Sequence, residues 1–208
     1  MTAPTTAGLV LAAGEGRRFG GPKAPYVLDG ERLVDRAVRL LREAGCDPVV
    51  VVLGAWVGDV PGADVVVNDD WPTGMGSSLR RGLDHLASAD ATENRASDVA
   101  PAGGVDRVLV TLVDLPGLTV EAAARIAATP SDDPREVLAS ATYDRVRGHP
   151  VLLGRTHWHG VATSAVGDRG ARAYLAEHDV TLVEVGDVAS GDDLDTLDTP
   201  PSPAPNPL

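Results

Sequence analysis

Residues Leu9 to Lys23 read LVLAAGEGRRFGGPK, and this stretch decides the fold of the chain. It begins with aliphatic residues, passes through alanines and glycines, and ends with two arginines, further glycines and a lysine. A short apolar run of this kind is typical of a strand buried on both faces, as in a parallel sheet. Glycines let backbone N–H groups approach phosphate oxygens, and basic side chains neutralise their charge. The stretch therefore predicts a buried strand that runs into a phosphate-binding loop.

The composition fits one folded domain. The chain has 208 residues, which is long enough to bury a core without a partner chain. Hydrophobic residues make up 43% of the sequence but aromatic residues only 3%, so mainly Val, Leu and Ala must fill the core. We expect a single domain over residues 1–200, with an exposed insertion at 90–104 and a disordered, proline-rich tail at 201–208.

The charge and the single cysteine exclude several classes of protein. A formal net charge of -12 argues against a nucleic-acid partner, because phosphate backbones require a basic surface. Cys46 is the only cysteine, so a disulfide within the chain and a cysteine-based zinc cluster are excluded. No apolar run approaches the roughly 20 residues of a membrane helix, and the amino end lacks a signal-peptide pattern. We expect a cytoplasmic protein with no membrane partner.

Strand and helix patterns alternate along the chain. Apolar segments predict strands at Ala7–Ala12, Pro48–Leu53, Ala63–Val67, Arg107–Val113, Val137–Thr142, Pro150–Leu153 and Val180–Val185. Helical spacing follows Glu31 and begins again with Leu79, Leu83 and Leu86, and further helices are predicted at Val120–Ala128, with Thr119 as its cap, and at Gly167–His178. This alternation predicts a three-layer α/β/α fold with a mostly parallel sheet.

The first loop departs from two familiar phosphate-binding patterns. A dinucleotide-binding fingerprint needs a third glycine after Gly14 and Gly16, but Phe19 stands at that position. The acidic residue expected after the second strand is also missing, because glycine and alanine follow it. A Walker loop fails too, since Pro22 precedes Lys23 and alanine replaces the hydroxyl residue.

Further motifs follow the loop in a fixed order. They are Asn68 to Leu79 with Trp71 and Gly74-Met75, then Asp114-Leu115-Pro116, Gly148-His149-Pro150, Gly167-Asp168-x-Gly170-Ala171-Arg172, and Asp193-Leu194-Asp195-Thr196. With these motifs the chain resembles the MobA-like nucleotidyltransferases, the MocA subgroup most closely. The resemblance extends from about Ala7 to Pro200. It implies a Rossmann-like nucleotidyltransferase fold of the nucleotide-diphospho-sugar transferase type.

The resemblance also implies an activity. Such an enzyme would use Mg²⁺ to move a CMP or GMP group from a nucleoside triphosphate to the phosphate of molybdopterin, with release of pyrophosphate. Ala13, where guanylyl-transferring members usually have glycine, favours CTP over GTP. Another phosphorylated small-molecule acceptor is an alternative, as are a nicotinamide-dependent reductase and a catalytically silent nucleotide-binding module. The missing acidic residue weakens the reductase, while Lys23 and Asp114 argue against the silent module.

The resemblance assigns the nucleotide site residue by residue. The implied nucleotide-binding residues are Leu11, Ala12, Ala13, Gly14, Gly16, Lys23, Asn68, Gly74, Ser77 and Ser78. Lys23, Arg17 and Asp114 are the implied catalytic residues. Their chemistry suits the role, because cations beside the α-phosphate neutralise the charge that develops as it is attacked.

Two further groups of residues concern the metal and the acceptor. Asp114 stands at the tip of a strand before a proline, where a carboxylate can bind Mg²⁺ that keeps its other ligands as water and phosphate oxygens. The resemblance implies Asp195 as the second metal ligand, with Asp198 as an alternative in a shifted register. It implies His149 and Arg172 as contacts of the acceptor.

Overall fold

The computed structural model of the protein describes residues 3–96 and 104–194, with the backbone alone at 90–96. The strands are β1 (Thr6–Leu11), β2 (Val27–Leu28), β3 (Glu31–Arg32), β4 (Val49–Leu53), β5 (Asp64–Val67), β6 (Arg107–Leu112), β7 (Leu138–Tyr143), β8 (Val146–Gly154) and β9 (Thr181–Glu184). The α-helices are α1 (Leu33–Glu43), α2 (Met75–Ala96), α3 (Val120–Ala127), α4 (Trp158–Ser164) and α5 (Arg172–Ala176).

The main sheet is mostly parallel. Its strand order is β5-β4-β1-β6-β8-β7-β9, while β2 and β3 form a separate two-stranded ribbon. The pairs β1–β4, β1–β6, β4–β5 and β7–β9 are parallel. Strand β8 runs antiparallel to both of its neighbours, β6 and β7. The predicted mostly parallel sheet is therefore confirmed, with one reversed strand in it.

Helices cover both faces of the sheet. Leu41 of α1 and Ile126 of α3 are buried on one face together with Leu109 of β6. Leu83 of α2 and Trp158 of α4 are buried on the other face. Strands buried on both faces need apolar residues at every position, which explains the continuous valine run of β4. The predicted three-layer α/β/α fold, with a core mainly of Val, Leu and Ala, is confirmed.

Two predicted elements, a helix and a strand, differ clearly from the structure. The predicted helix Gly167–His178 is split into a short 3₁₀ turn at Gly167–Arg169 and helix α5. The reason is a positive φ at Gly167 and at Gly170, which a continuous right-handed helix cannot accept. Strand β8 also begins four residues before the predicted Pro150, because it forms a hairpin with β7.

The predicted insertion is partly helical. Helix α2 continues through Ala96, so the first seven residues of the segment 90–104 are not a loop. Residues 97–103 lie outside the described part of the chain, as do the tail at 201–208 and both Asp195 and Asp198. No helix within the described residues is long and apolar enough to cross a membrane.

Candidate active site

A cavity of about 400 Å³ opens where β1 and β6 end. The two strands are adjacent and parallel, so the loops that leave them emerge at the same edge of the sheet. Ten of the residues around this cavity, including five of the ten predicted to bind nucleotide, come from these two strands and the loops that follow them: Leu11, Ala13, Gly14, Glu15, Gly16, Arg17, Lys23, Leu112, Val113 and Asp114. The edge of the sheet thus brings together the loop after β1 and the Asp114 segment after β6, which lie far apart in the sequence.

The phosphate loop after β1 is closed by Gly16. The Gly16 carbonyl accepts the N–H groups of Phe19, Gly20 and Gly21 at 3.0, 2.9 and 3.1 Å. Gly16 itself has a φ of 62°, and a Cβ atom on it would lie 2.0 Å from the Gly21 carbonyl oxygen. Only glycine fits at this position. The tight turn leaves the earlier part of the loop, from Gly14 to Arg17, facing the cavity.

Lys23 and Asp114 form an ion pair inside the cavity. The Lys23 Nζ atom lies 2.7 Å from Asp114 Oδ2, and the two side chains are 13% and 20% exposed. Lys23 thus connects the phosphate loop to the end of β6. The backbone at Asp114 is also fixed, because its carbonyl accepts the N–H of Leu194 at 2.9 Å. Both charged side chains lie where a phosphate group could bind to Lys23, either in place of Asp114 or together with it.

The opposite wall of the cavity is the start of α2. Trp71, Gly74, Met75 and Ser78 line it, together with Asp168 from the 3₁₀ turn. Gly74 has a φ of 111°, and a Cβ atom there would lie 2.4 Å from the Gly167 carbonyl carbon. A helix start exposes N–H groups that attract anions. The wall can therefore bind a negatively charged or hydroxyl-bearing group of the nucleotide.

Three predicted nucleotide-binding residues do not line the cavity. Ala12 is buried, and its N–H donates to the Val52 carbonyl at 2.9 Å. Asn68 is buried and donates through Nδ2 to the hydroxyl oxygens of Ser77 and Ser78 at 2.9 and 3.0 Å. Ser77 in turn donates to backbone carbonyls of the loop before α2. These polar residues hold the wall in place, and among them only Ser78 reaches the cavity.

A second cavity of about 270 Å³ adjoins the first and shares Leu11, Met75 and Leu112 with it. His149 and Arg172, the two predicted acceptor contacts, both line this second cavity. Its floor is apolar, and the exposed arginines 147 and 169 stand at its rim beside Arg172. The structure therefore brings the predicted acceptor residues together next to the predicted nucleotide site.

His149 is held in one orientation. Its Nδ1 atom lies 3.3 Å from the Val110 carbonyl oxygen, which can only accept, so the proton is on Nδ1. Burial lowers the pKa of His149 below its ordinary value; the Val110 carbonyl and the Asp114 charge oppose this shift, and Arg172 adds to it. His149 is consequently neutral at pH 7, and no described residue bonds its Nε2 atom, which can accept a proton.

The charges of the first cavity nearly balance. Glu15, Asp114 and Asp168 are acidic, whereas Arg17 and Lys23 are basic. Arg17 is largely exposed and donates to Glu15 Oε2 at 2.7 Å, and this hydrogen bond raises the pKa of Arg17. A triphosphate carries more negative charge than these two cations can neutralise. A further cation at this cavity would neutralise the remaining charge of such a ligand.

Asp114 is suited to hold a divalent cation. Lys23 bonds only its Oδ2 atom, and among the described residues no protein donor reaches Oδ1. No cluster of three metal-ligating side chains exists in the described ranges. Mg²⁺ commonly takes one or two carboxylates and completes its shell with water and substrate phosphates. Asp114, beside the phosphate loop, can supply one such carboxylate, and Asp195 lies outside the described residues.

The sequence did not identify every residue at the two cavities. Glu15, Asp168, Arg147 and Arg169 line them without having been assigned a role. The sequence did contain an indication for Asp168, because this residue belongs to the same motif as Arg172. For Arg147 no signal existed, since its position depends on the register of the β7–β8 hairpin.

Fold and site together define an α/β nucleotidyltransferase. The family model of the MobA-like NTP transferase domain matches residues 8–182. Nicotine blue oxidoreductase of Paenarthrobacter nicotinovorans is 35% identical over 211 residues, covering 94% of both chains. A probable molybdenum cofactor guanylyltransferase of Opitutus terrae is 58% identical over 50 residues, which is 24% of this chain and 25% of that protein. The solved structure of Rv0371c from Mycobacterium tuberculosis H37Rv is 28% identical, with a TM-score of 0.72 and coverage of 95% and 96%.

The chain belongs to the MobA-like NTP transferase domain family. The predicted family and the predicted class of enzyme, a nucleotidyltransferase, are thereby confirmed.

Proposed function

We propose that the protein is a Mg²⁺-dependent cytidylyltransferase that transfers CMP from CTP to the phosphate of a small-molecule acceptor, with molybdopterin or its metal-loaded form as the favoured acceptor. One observation carries the proposal. The Lys23–Asp114 pair lines a cavity together with the phosphate loop, and the adjoining cavity holds a neutral histidine and three arginines. Pyrophosphate leaves as an acceptor oxygen bonds to the α-phosphorus.

The triphosphate site uses the first cavity. The phosphate loop presents the backbone of Gly14 to Arg17, and Lys23 neutralises charge on the α-phosphate as it is attacked. Asp114, with Asp195 as the proposed second ligand, would hold Mg²⁺. When bound, Mg²⁺ stabilises the negative charge of the transition state and of the leaving pyrophosphate. Positioning and charge neutralisation supply most of the rate in this chemistry.

The acceptor site uses the second cavity. Arginines at its rim suit an anionic group, because guanidinium groups bind phosphate through two parallel hydrogen bonds. Neutral His149 can take the proton of an acceptor phosphate and leave its oxygen as the nucleophile. The apolar floor can receive the uncharged part of the acceptor. A phosphorylated small molecule other than molybdopterin would meet the same residues.

Ala13 bears on the choice of base. It is 5% exposed and lines the first cavity, where its methyl group narrows the space available to a base. Replacement by glycine should admit the larger purine more easily. One methyl group in a pocket changes selectivity by about tenfold, so Ala13→Gly should shift the ratio of kcat/KM for GTP over CTP upward by about this factor. Steady-state kinetics with both nucleotides measures it, and an unchanged ratio would remove Ala13 from base selection.

A nicotinamide-dependent reductase is the second candidate, because the similarity to nicotine blue oxidoreductase extends over 94% of both chains. One feature of the structure weakens it. A Cβ atom on Gly54, directly after β4, would lie 2.7 Å from the Trp71 side chain. The position where a dinucleotide-binding fold places an acidic ribose ligand is therefore occupied by tryptophan packed on glycine.

Isothermal calorimetry separates the two candidates. The protein is titrated with CTP, GTP, ATP and NADPH, each with and without Mg²⁺, and pyrophosphate release is followed with an added phosphorylated acceptor. We expect CTP to bind most tightly, only with Mg²⁺, and to be consumed only with acceptor. Equal binding of all four nucleotides would contradict the cytidylyl assignment. Tight NADPH binding without metal would favour the reductase.

A further inference from the structure

A small cavity of about 10 Å³ lies under the segment that carries Asp114. Apolar side chains of α1 and of the loop after β6 surround it, among them Leu33, Leu40 and Leu118. Two polar side chains also line it, Arg36 from α1 and Thr111 from β6. A space of this size holds one water molecule.

Two buried polar atoms at this cavity have no partner within the described residues. They are Arg36 Nε and Thr111 Oγ1, and Thr111 is 0% exposed. A buried donor or hydroxyl without a hydrogen bond is rare in folded proteins because its desolvation is not compensated. Both atoms could be satisfied at once by a water molecule that accepts from Arg36 Nε and bonds to the threonine hydroxyl.

Arg36 also contacts the loop directly. Its Nη2 atom donates to the Pro116 carbonyl at 2.8 Å, two residues beyond Asp114. Arg36 also helps to lower the pKa of Glu31, after the larger effect of Arg39. Arg36 therefore connects helix α1 to the loop that carries Asp114 without being part of the cavity that would hold the nucleotide.

We propose that one buried water molecule binds Arg36 Nε and Thr111 Oγ1, and that Arg36, Thr111 and this water fix the loop so that the Asp114 carboxylate is set for a divalent cation. Arg36 and Thr111 are then positioning residues that act through Asp114. Their role in metal binding and catalysis rests on the proposed function. The loop is held on its inner side by Arg36 and on its outer side by the backbone bonds Leu194–Asp114 and Ser190–Gly117.

A double-mutant cycle in thermal stability tests the water. Thr111→Val removes the hydroxyl with little change of shape. If the water is bound, this change leaves Arg36 Nε unsatisfied, and we expect the Tm to fall by about 2–4 °C. In the Arg36→Met background the same change should leave Tm equal or higher, because no donor remains to be stranded. Equal effects of Thr111→Val in both backgrounds, or a higher Tm in the single variant, would overturn the proposal.

Metal affinity tests the positioning role, with a matched control on the same helix. Arg42 also donates to a backbone carbonyl at 2.8 Å, that of Gly62, but far from the cavity. Binding of Mn²⁺ alone is measured by electron paramagnetic resonance. We expect Arg36→Met to weaken it about tenfold and to speed amide exchange at Leu118, while Arg42→Met changes both less than twofold. Equal effects of the two variants would show that Arg36 has no positioning role.

The two proposals fail in different ways. If the wild-type protein binds Mn²⁺ but releases no pyrophosphate from any nucleotide, the proposed function fails, and the cycle and the Mn²⁺ comparison still decide the inference. If pyrophosphate is released, Arg36→Met should lower kcat at saturating CTP and saturating Mg²⁺, with the KM for CTP at that Mg²⁺ concentration within twofold of wild type. A change in KM alone would contradict positioning of Asp114.

Discussion

The Lys23–Asp114 ion pair joins two parts of the sequence that are 91 residues apart. Both side chains are mostly buried, so each needs the other or a ligand to compensate for its lost hydration. A bound triphosphate with a divalent cation can take over both contacts, since phosphate oxygens would meet Lys23 while the cation meets Asp114. The pair thus keeps two charged groups in place before the substrate arrives.

Replacing Asp114 should stop the reaction and leave the fold in place. Asp114→Asn keeps the shape but removes the charge that attracts the cation, so we expect metal-dependent pyrophosphate release to fall at least about 100-fold. The control is Asp187→Asn, which removes an exposed ion pair to Arg125 of the same 2.7 Å length. Circular dichroism should show both variants folded. Retained activity in Asp114→Asn would exclude Asp114 from the mechanism.

His149 should make the pH–rate profile of the reaction fall on its acidic side, which is the acidic limb of the profile. Its pKa is lowered mainly by burial, so the base form is lost only as the pH falls through a value below 6.5. We expect kcat/KM for the acceptor to be level above that value and to fall below it. His149→Gln should reduce kcat about 100-fold and abolish this limb. Any pH dependence left in the variant belongs to the substrates, and an unchanged limb would contradict the role of His149.

Residue chemistry indicated part of the site. Lys23 and Asp114 could be predicted because a lysine after a glycine loop and a carboxylate at a strand tip suit phosphate and metal. Asn68 and Ser77 have equally suitable chemistry, yet they bond to each other and to backbone. Polarity alone does not tell whether a side chain points to a ligand or closes a loop. That distinction depends on the local backbone, which the sequence does not display.

At the scale of elements, the phosphate loop offers a matched pair of glycines. Gly16→Ala would place a Cβ atom on the Gly21 carbonyl at a positive φ, whereas Gly21→Ala meets nothing within 4 Å. We expect Gly16→Ala to cost at least about 2 kcal/mol of unfolding free energy and to abolish CTP binding. Gly21→Ala should change stability by less than about 0.5 kcal/mol. Urea denaturation and calorimetry measure both, and similar losses would show that the turn does not depend on Gly16.

Elements with strong local signals were predicted well. Thr119 was expected to cap α3, and its hydroxyl accepts the Ala122 N–H at 3.1 Å. The β7–β8 hairpin was harder, because its turn places Asp144 and Arg145 at φ values of 49° and 68° without any glycine. The usual turn signal is therefore missing. Three hydrogen bonds to Glu184 of β9 stabilise that turn instead, from the Thr142 hydroxyl and from the backbone N–H groups of Asp144 and Arg145.

At the scale of the whole molecule, the alternation of strands and helices predicted the three layers but not the strand order. The rule that crossover connections are right-handed predicts how helices connect neighbouring parallel strands. The position of β8 between β6 and β7 does not follow from this rule, since it depends on which edge of the sheet the hairpin meets. This placement matters because it brings His149 beside Val110 of β6. The second cavity is thus a product of the tertiary fold.

Cys46 can report on global unfolding. It is 2% exposed, and burial raises its pKa to about 12. At pH 8 the thiolate fraction is about 10³-fold lower than in an unfolded chain, so alkylation by iodoacetamide should be slowed at least by this factor. Saturating CTP with Mg²⁺ should slow it further by stabilising the folded state. Rapid labelling of the native protein, unaffected by ligand, would indicate local opening around Cys46.

Leu194 closes the site from the far end of the described chain. Its side chain packs with Phe19 of the phosphate loop and with Leu33, and its N–H bonds to the Asp114 carbonyl. The ribosome releases this residue after all the helices and strands of the described fold. A nascent chain can therefore complete its sheet while the phosphate loop and the Asp114 loop still lack their last shared contact. The order of synthesis thus delays this shared contact until the strands and helices of the described fold have been synthesised.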